Sequence, residues 1–142
     1  MTSIFEEINF ETDEEGQLVL LDDKIRSSIK KNNLTDGIVN IFVPGSTGAI
    51  TTIEYEKGLI KDFPEVLNNL IPPDSPQKKY FHNKLNYDDN GHSHIRASII
   101  GPSLTVPFKN SRLLIGTWQN IVFIELDAHA PRNRKIILTF IS

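Results

Sequence analysis

Five short β-rich runs fill the C-terminal third of the chain and recur about every ten residues. Gly-Pro, Lys-Asn-Ser and Ala-His-Ala-Pro turns separate them. Strands at this spacing indicate a largely antiparallel sheet with helices packed on it, which is an α+β arrangement. The five runs are His94–Ile100, Ser103–Pro107, Arg112–Ile115, Asn120–Leu126 and Arg134–Ile141.

The first thirty residues predict two strands and a helix. Ile4–Phe10 alternates loosely between apolar and polar residues, and Gln17–Leu21 follows an acidic turn that ends in glycine. This pattern is typical of a hairpin. Asp22 or Asp23 is expected to cap a helix that runs to about Lys31, with its cations in the last turn.

The middle of the chain predicts one buried strand and one interrupted helix. Ile38–Val43 is β-branched and almost wholly apolar, as in a central strand. After a Gly- and Thr-rich stretch, Glu54–Leu70 reads as a helix that Pro64 breaks in two. Residues 72–76 form a loop, and residues 80–91 show no usable period. The expected fold is a single domain over residues 1–142, with largely antiparallel β-sheets and two main helices.

Composition excludes several classes of function. The chain has no cysteine, which removes disulfides, thiolate metal sites and a cysteine nucleophile. No apolar run approaches the roughly 18 residues of a membrane span, and the N-terminus is acidic, so we expect a cytoplasmic protein without a membrane partner.

Beyond residue 23 the chain carries 10 acids and 15 bases. This charge is too dilute for nucleic acid but suits a small anion.

Histidines are the only soft ligands left. His92 and His94 flank one serine, so on a strand both imidazoles would share a face and could bind one ion. His82, across a loop, could supply a third nitrogen, a number that zinc commonly takes in catalytic sites. The alternative is that these histidines only hydrogen-bond to the backbone.

The segment PGSTGAITT is a second candidate site. Its glycines allow close backbone approach and Ser46 and Thr47 offer hydroxyls, as in an oxyanion cradle, although a plain glycine turn explains the pattern equally well. Glu54 and Asp62 follow it. They could act as a general base or orient a ligating histidine, and an acid at a helix start is also a common cap.

Two later segments could contact a ligand. Trp118 and Gln119 lie in a turn between strands, where the indole could stack on a planar ligand or pack in the core. Arg132 and Arg134 belong to the only dense basic cluster of the chain. Their guanidinium groups suit phosphate or carboxylate, and the cluster could equally be a solvated turn.

Three segments together resemble the YjbQ family, also described as the secondary thiamine-phosphate synthase family. They occur in family order and at family spacing over nearly the whole chain. The segments are DGIVNIFVPGSTGAITTIE, NGHSHIRASIIGPSLTVP, and LLIGTWQNIVFIELD followed by PRNRK.

The resemblance implies a compact α+β fold that assembles as a homotrimer, with a divalent metal, zinc in particular, on His82, His92 and His94. It implies catalytic roles for Glu54 and Asp62, and weak thiamine-phosphate synthase activity on small phosphorylated substrates. The alternative is a non-catalytic trimer that binds a metabolite or metal. Many family members have a histidine where this chain has Gly45, so that histidine's role cannot be transferred.

Overall fold

The computed structural model describes residues 1–142, which form eight β-strands and four α-helices. The strands are β1 (Ser3–Glu11), β2 (Leu18–Leu20), β3 (Gly37–Phe42), β4 (Gly48–Ile53), β5 (Ser103–Lys109), β6 (Arg112–Leu113), β7 (Asn120–Glu125) and β8 (Asn133–Ile141). The helices are α1 (Asp22–Lys31), α2 (Lys57–Leu70), α3 (Phe81–Asn86) and α4 (Gly91–Ile100). None of these helices has the length and apolar character needed to cross a membrane.

The strands form two sheets in which every pair is antiparallel. The larger sheet has the order β1-β8-β3-β5-β6 and the smaller one β2-β7-β4. The predicted α+β class with antiparallel sheets is therefore confirmed, with four helices instead of two main ones. The predicted hairpin of the first two strands is wrong, because β1 pairs with β8 in one sheet and β2 with β7 in the other.

Strand β7 lies between two layers of apolar side chains. Ile121 and Phe123 belong to the larger core cluster, which includes residues of α1 and of the five-stranded sheet. Val122 and Ile124 belong to the second cluster, which includes residues of α2 and α4. The small sheet is thus buried on both faces, which explains why β7 reads as a continuous apolar run.

The segment predicted as a strand from His94 is helix α4. Its buried face is formed by Ser93, Arg96 and Ala97, at the i, i+3, i+4 spacing of a helix, and Ile100 completes it. Two of these four residues are polar. The helical period is therefore invisible to a search for apolar residues, whereas Ile99 and Ile100 resemble the end of a strand.

Two further predictions fail at helix starts. Helix α2 begins at Lys57, because Glu56 caps it by accepting hydrogen bonds from the backbone N–H groups of Gly58 and Leu59. The helix continues through Pro64 and is not broken there. Helix α1 has no side-chain cap. The carboxylate of Asp22 instead accepts the backbone N–H of Ile121 at 2.7 Å, which ties the helix start to β7.

Candidate functional site

His94 of α4 lies between two adjoining cavities, which we call together the His94 cleft. The first, of about 250 Å³, has one wall from the β3–β4 turn and the other from α4. The second, of about 360 Å³, lies between the segment before α3 and the start of α4. The first is lined by Gly45, Ser46, Gly48, His94, Ala97, Ser98 and Pro102, and the second by Lys78, Lys79, Tyr80, Phe81, His82, Gly91, His94 and Ile95.

Two glycines shape the β3–β4 side of the cleft. Gly45 has a φ of +108°, a conformation that other residues rarely adopt. At Gly48, a Cβ atom would lie only 2.5 Å from the ring of Phe123, so glycine lets β4 approach the core residue of β7. The predicted cradle segment therefore consists of a turn, which carries Ser46 and Thr47, and of strand β4.

The structure brings His82 and His94 together. Their ring centroids are 4.7 Å apart with planes tilted by 56°. Nε2 of His82 lies 3.0 Å from Oδ1 of Asn90 and 3.9 Å from Oδ2 of Asp88. The two imidazoles thus line the second cavity together, as do Lys78 and Lys79.

His92 points away from this pair. Side chains two residues apart on a helix lie about 200° apart around its axis. The His92 side chain is 2% exposed, and its Nε2 lies 2.6 Å from Oε1 of Glu15, which also lies 3.5 Å from Nη1 of Arg96. His92 therefore ties α4 to the turn between β1 and β2.

The expected three-histidine set does not fit a metal ion within one chain. His82, His92 and His94 do not converge, since His92 is buried against Glu15 on the other side of α4. The only three metal-ligating side chains whose donor atoms all lie within 4.8 Å of one another are Asp88, Asp89 and His129.

Arg134 binds the turn that forms one wall of the first cavity. It is 7% exposed and donates from Nε to Glu125 at 2.9 Å and from Nη2 to the same buried carboxylate. Nη2 also donates to Oγ1 of Thr47 at 3.0 Å and to its carbonyl oxygen at 3.2 Å. Nη1 has no protein acceptor and lies 3.6 Å from the point where a side chain on Gly45 would begin. Arg134 thus holds the Gly45–Thr47 turn in place.

Asp127 fixes the same turn from the other side. Its carboxylate accepts the hydroxyl of Thr47 at 3.0 Å and pairs with Arg132. Burial acts to raise the pKa of Asp127, but hydrogen bonds from the His129 backbone and from Thr47, with the charge of Arg132, outweigh it and keep this pKa below its ordinary value. The side chains of Thr47 and Arg132 are therefore both bound to Asp127, although Arg132 is exposed. Arg132 also lines a separate polar cavity of about 240 Å³ beside Thr12.

The other predicted site residues lie outside the His94 cleft. Gln119 lines a cleft of about 400 Å³ between β4 and β5 and donates to Oγ1 of Thr52 at 3.3 Å. Trp118 is exposed beside it. Glu54, after β4, and Asp62, on α2, are exposed and line neither cavity of the cleft.

Sequence reasoning missed two groups of residues, one in the His94 cleft and one next to it. Lys78 and Lys79, which line the cleft, lie between the predicted loop at residues 72–76 and the stretch 80–91 without a usable period, so nothing marked them. Asp88 and Asp89 are adjacent in the sequence, but their partner His129 follows 40 residues later in another loop. Only the folded chain could reveal that pairing.

Comparisons with known proteins agree on one family. The profile of the family described as "UPF0047 protein YjbQ-like" matches residues 6–142. A UPF0047 protein of Archaeoglobus fulgidus is 32% identical over 132 residues, 93% of this chain and 97% of that protein. A UPF0047 protein of Methanothermobacter thermautotrophicus is 36% identical over 131 residues, 92% of this chain and 87% of that protein.

Two solved structures share this fold over nearly the whole chain. A YbjQ-like protein of unknown function from Sulfolobus solfataricus superimposes with a TM-score of 0.87 at 33% identity, covering 98% of this chain and 96% of that one. A hypothetical protein from Aeropyrum pernix gives a TM-score of 0.87 at 29% identity, covering 98% of each chain. Both superpositions therefore include nearly every residue of this chain.

Proposed function

The chain belongs to the YjbQ-like UPF0047 protein family, and from that premise we propose that it binds a small phosphorylated metabolite in the His94 cleft. The observation that carries this proposal is the position of His94 between two cavities whose rims offer hydroxyls on one side and ammonium groups on the other. A phosphorylated compound needs such a combination of hydrogen-bond donors and positive charge.

The donors of the first cavity suit phosphate oxygens. Ser46 faces it from the turn, and the glycines of the turn let a ligand approach the backbone closely. The hydroxyl of Ser98, on the opposite wall, already donates to the carbonyl oxygen of Ile95 at 2.9 Å. Lys78 and Lys79 add positive charge at the second cavity. An imidazole donates from a ring N–H, so His94 can bridge ligand groups in both cavities.

Binding without catalysis by Glu54 or Asp62 is the function that the cleft geometry supports best. No carboxylate lines either cavity, and Glu54 and Asp62, which the resemblance marks as catalytic, lie elsewhere. A general base must come within hydrogen-bond reach of the proton that it removes. The proposed function does not use a metal ion in the cleft, because His82, His92 and His94, the residues expected to bind it, do not converge.

Thiamine-phosphate synthase-like transfer is the second candidate, favoured by the lysines at the rim. Such a reaction joins a pyrimidine diphosphate to a thiazole phosphate and releases pyrophosphate. Lys78 and Lys79 would stabilise the charge on that leaving group. Formation of thiamine phosphate by the purified protein, lost in His94→Ala, would favour this candidate. If the protein binds both substrates but forms no thiamine phosphate, the non-catalytic binding function is favoured.

Inorganic pyrophosphate is a suitable probe of the binding proposal. We expect the double variant Lys78→Ala/Lys79→Ala to weaken pyrophosphate binding at least about tenfold in isothermal titration, since each charge-assisted hydrogen bond contributes about 1.5–3 kcal/mol. His94→Ala should weaken it as well. Lys57→Ala/Lys61→Ala removes the same charge from α2, away from the cleft, and should change the affinity less than about twofold. Equal losses in both double variants would refute the proposed site.

We also propose that the chain forms a homotrimer through the open face of its five-stranded sheet. Phe5 is 71% exposed there, and Ile38 of β3 pairs in register with Ile141 of β8, both partly exposed. Phe42 and Ile137 form a second such pair on the same face, with the polar pair of Asn40 and Thr139 between the two. Several exposed apolar side chains on one face are typical of subunit interfaces, which supports a second copy of the chain as the occupant.

A further inference from the structure

A separate group of ligating side chains converges from two loops. Asp88 and Asp89 precede α4, and His129 lies in the connection from β7 to β8. We propose that these three side chains bind a divalent transition-metal cation such as Zn²⁺. This inference does not depend on the proposed metabolite binding, and its ligands differ from the three histidines that the sequence suggested.

The distances suit a tetrahedral ion with little rearrangement. Nε2 of His129 lies 3.5 Å from Oδ1 of Asp88 and 2.5 Å from Oδ1 of Asp89. Zinc bonds of about 2.0–2.2 Å place tetrahedral ligand atoms roughly 3.4 Å apart. Oδ1 of Asp88 already lies at about this distance from Nε2 of His129. Oδ1 of Asp89, on a side chain that is 71% exposed, needs to move away from Nε2 by less than about 1 Å.

The surroundings of His129 provide an independent argument. Its second ring nitrogen, Nδ1, lies 3.8 Å from Oδ1 of Asp127, a fully buried carboxylate fixed by Thr47 and Arg132. A metal-ligating histidine characteristically donates from its other ring nitrogen to a carboxylate, which fixes the tautomer and raises ligand basicity. A shift of the ring by about 1 Å would bring Nδ1 of His129 within hydrogen-bond distance of Asp127. His129 thus stands between the buried carboxylate of Asp127 on one side and the half-buried Asp88 and exposed Asp89 on the other.

A fourth donor lies beside the group. Nε2 of His82 is 3.9 Å from Oδ2 of Asp88, the oxygen that does not face His129. Zinc prefers four ligands, and water or His82 can complete the set. A bound ion would join the loop before α4 to the connection before β8, next to the second cavity of the His94 cleft.

Zinc titration of tag-free, chelator-treated full-length protein tests this site. Isothermal titration of the wild type should show one Zn²⁺ per chain. Asp89→Asn and His129→Gln should each weaken the affinity by at least about tenfold, because each removes a ligand. Asp62→Asn removes an equally exposed acid from α2 and should leave zinc affinity unchanged. Equal melting temperatures of the metal-free proteins would show that the variants fold.

Two outcomes would overturn the inference. One is unchanged zinc affinity in both Asp89→Asn and His129→Gln. The other is a loss of zinc binding in His94→Gln but not in Asp89→Asn, which would return the ion to the histidines of the cleft. Since pyrophosphate is titrated in separate experiments on Lys78 and Lys79, failure of either proposal is seen without affecting the other.

Discussion

At the scale of single residues, His92 and His94 show how a helix separates two neighbours in the sequence. His92 is buried and hydrogen-bonded to Glu15, which also attracts Arg96. Burial lowers the pKa of Arg96, whereas the charge of Glu15 acts to raise it, with the net pKa below its ordinary value. His94 lies instead at the meeting of two cavities. We therefore expect His92 to stabilise the folded protein and His94 to contact the proposed ligand.

This difference predicts opposite effects of two alanine substitutions. His92→Ala should lower the free energy of unfolding by about 1–3 kcal/mol, because it leaves the carboxylate of Glu15 without its closest partner and opens a buried space. His94→Ala should change it by less than about 0.5 kcal/mol, since the side chain lies at a cavity wall and makes no protein hydrogen bond. Urea unfolding followed by circular dichroism measures both, and equal losses would contradict the assignment.

At the scale of elements, the approach of β4 to β7 forms both the core and the wall of the cleft. Gly48 pairs with Glu125 in the register of the two strands, and the Phe123 ring occupies the space where a Gly48 side chain would lie. The preceding turn carries Ser46 and is fixed by Arg134 and Asp127 through Thr47. A ligand would therefore meet a preformed wall.

Gly48→Ala tests this packing. The added Cβ would lie 2.5 Å from the Phe123 ring, so we expect a loss of about 1–3 kcal/mol in the free energy of unfolding. Gly116→Ala is the matched control, because there the nearest neighbour of the added Cβ is Gln119 at 3.7 Å, an ordinary contact. It should be nearly neutral. A Gly48→Ala protein as stable as the control would show that β4 can move away from β7 without cost.

At the scale of the whole molecule, the five-stranded sheet has one buried and one open face. Val39, Ile41, Ile136, Leu138 and Phe140 fill the core side, whereas the alternate residues of the same strands remain partly exposed. An uncovered apolar sheet face is costly in water, and a second copy of the chain would bury it.

The trimer proposal predicts a mass three times that of one chain in light scattering coupled to size exclusion. Ile38→Lys/Ile141→Lys places two charges at adjacent positions of this face and should give monomers. Leu70→Lys, on the exposed end of α2, should remain trimeric. A monomeric wild type, or a double variant that stays assembled, would contradict the interface.

Local pattern was enough to predict much of the secondary structure. Four predicted strands match observed ones, with ends shifted by at most one residue: Ile4–Phe10, Ile38–Val43, Asn120–Leu126 and Arg134–Ile141. Their β-branched and alternating residues fit a pleated sheet with at least one buried face. Motif order likewise sufficed to identify the family, as the match over residues 6–142 confirms.

The sequence by itself thus determined the α+β class, most strands and the family, because these depend on residues close together in the chain. Only the tertiary structure decided that β1 pairs with β8, at the other end of the chain. It also decided that His94 meets His82 while His92 meets Glu15, since the polar buried face of α4 conceals its helical period. Which distant side chains share a site depends on how strands and helices pair across the fold, and local periodicity carries no information about that pairing.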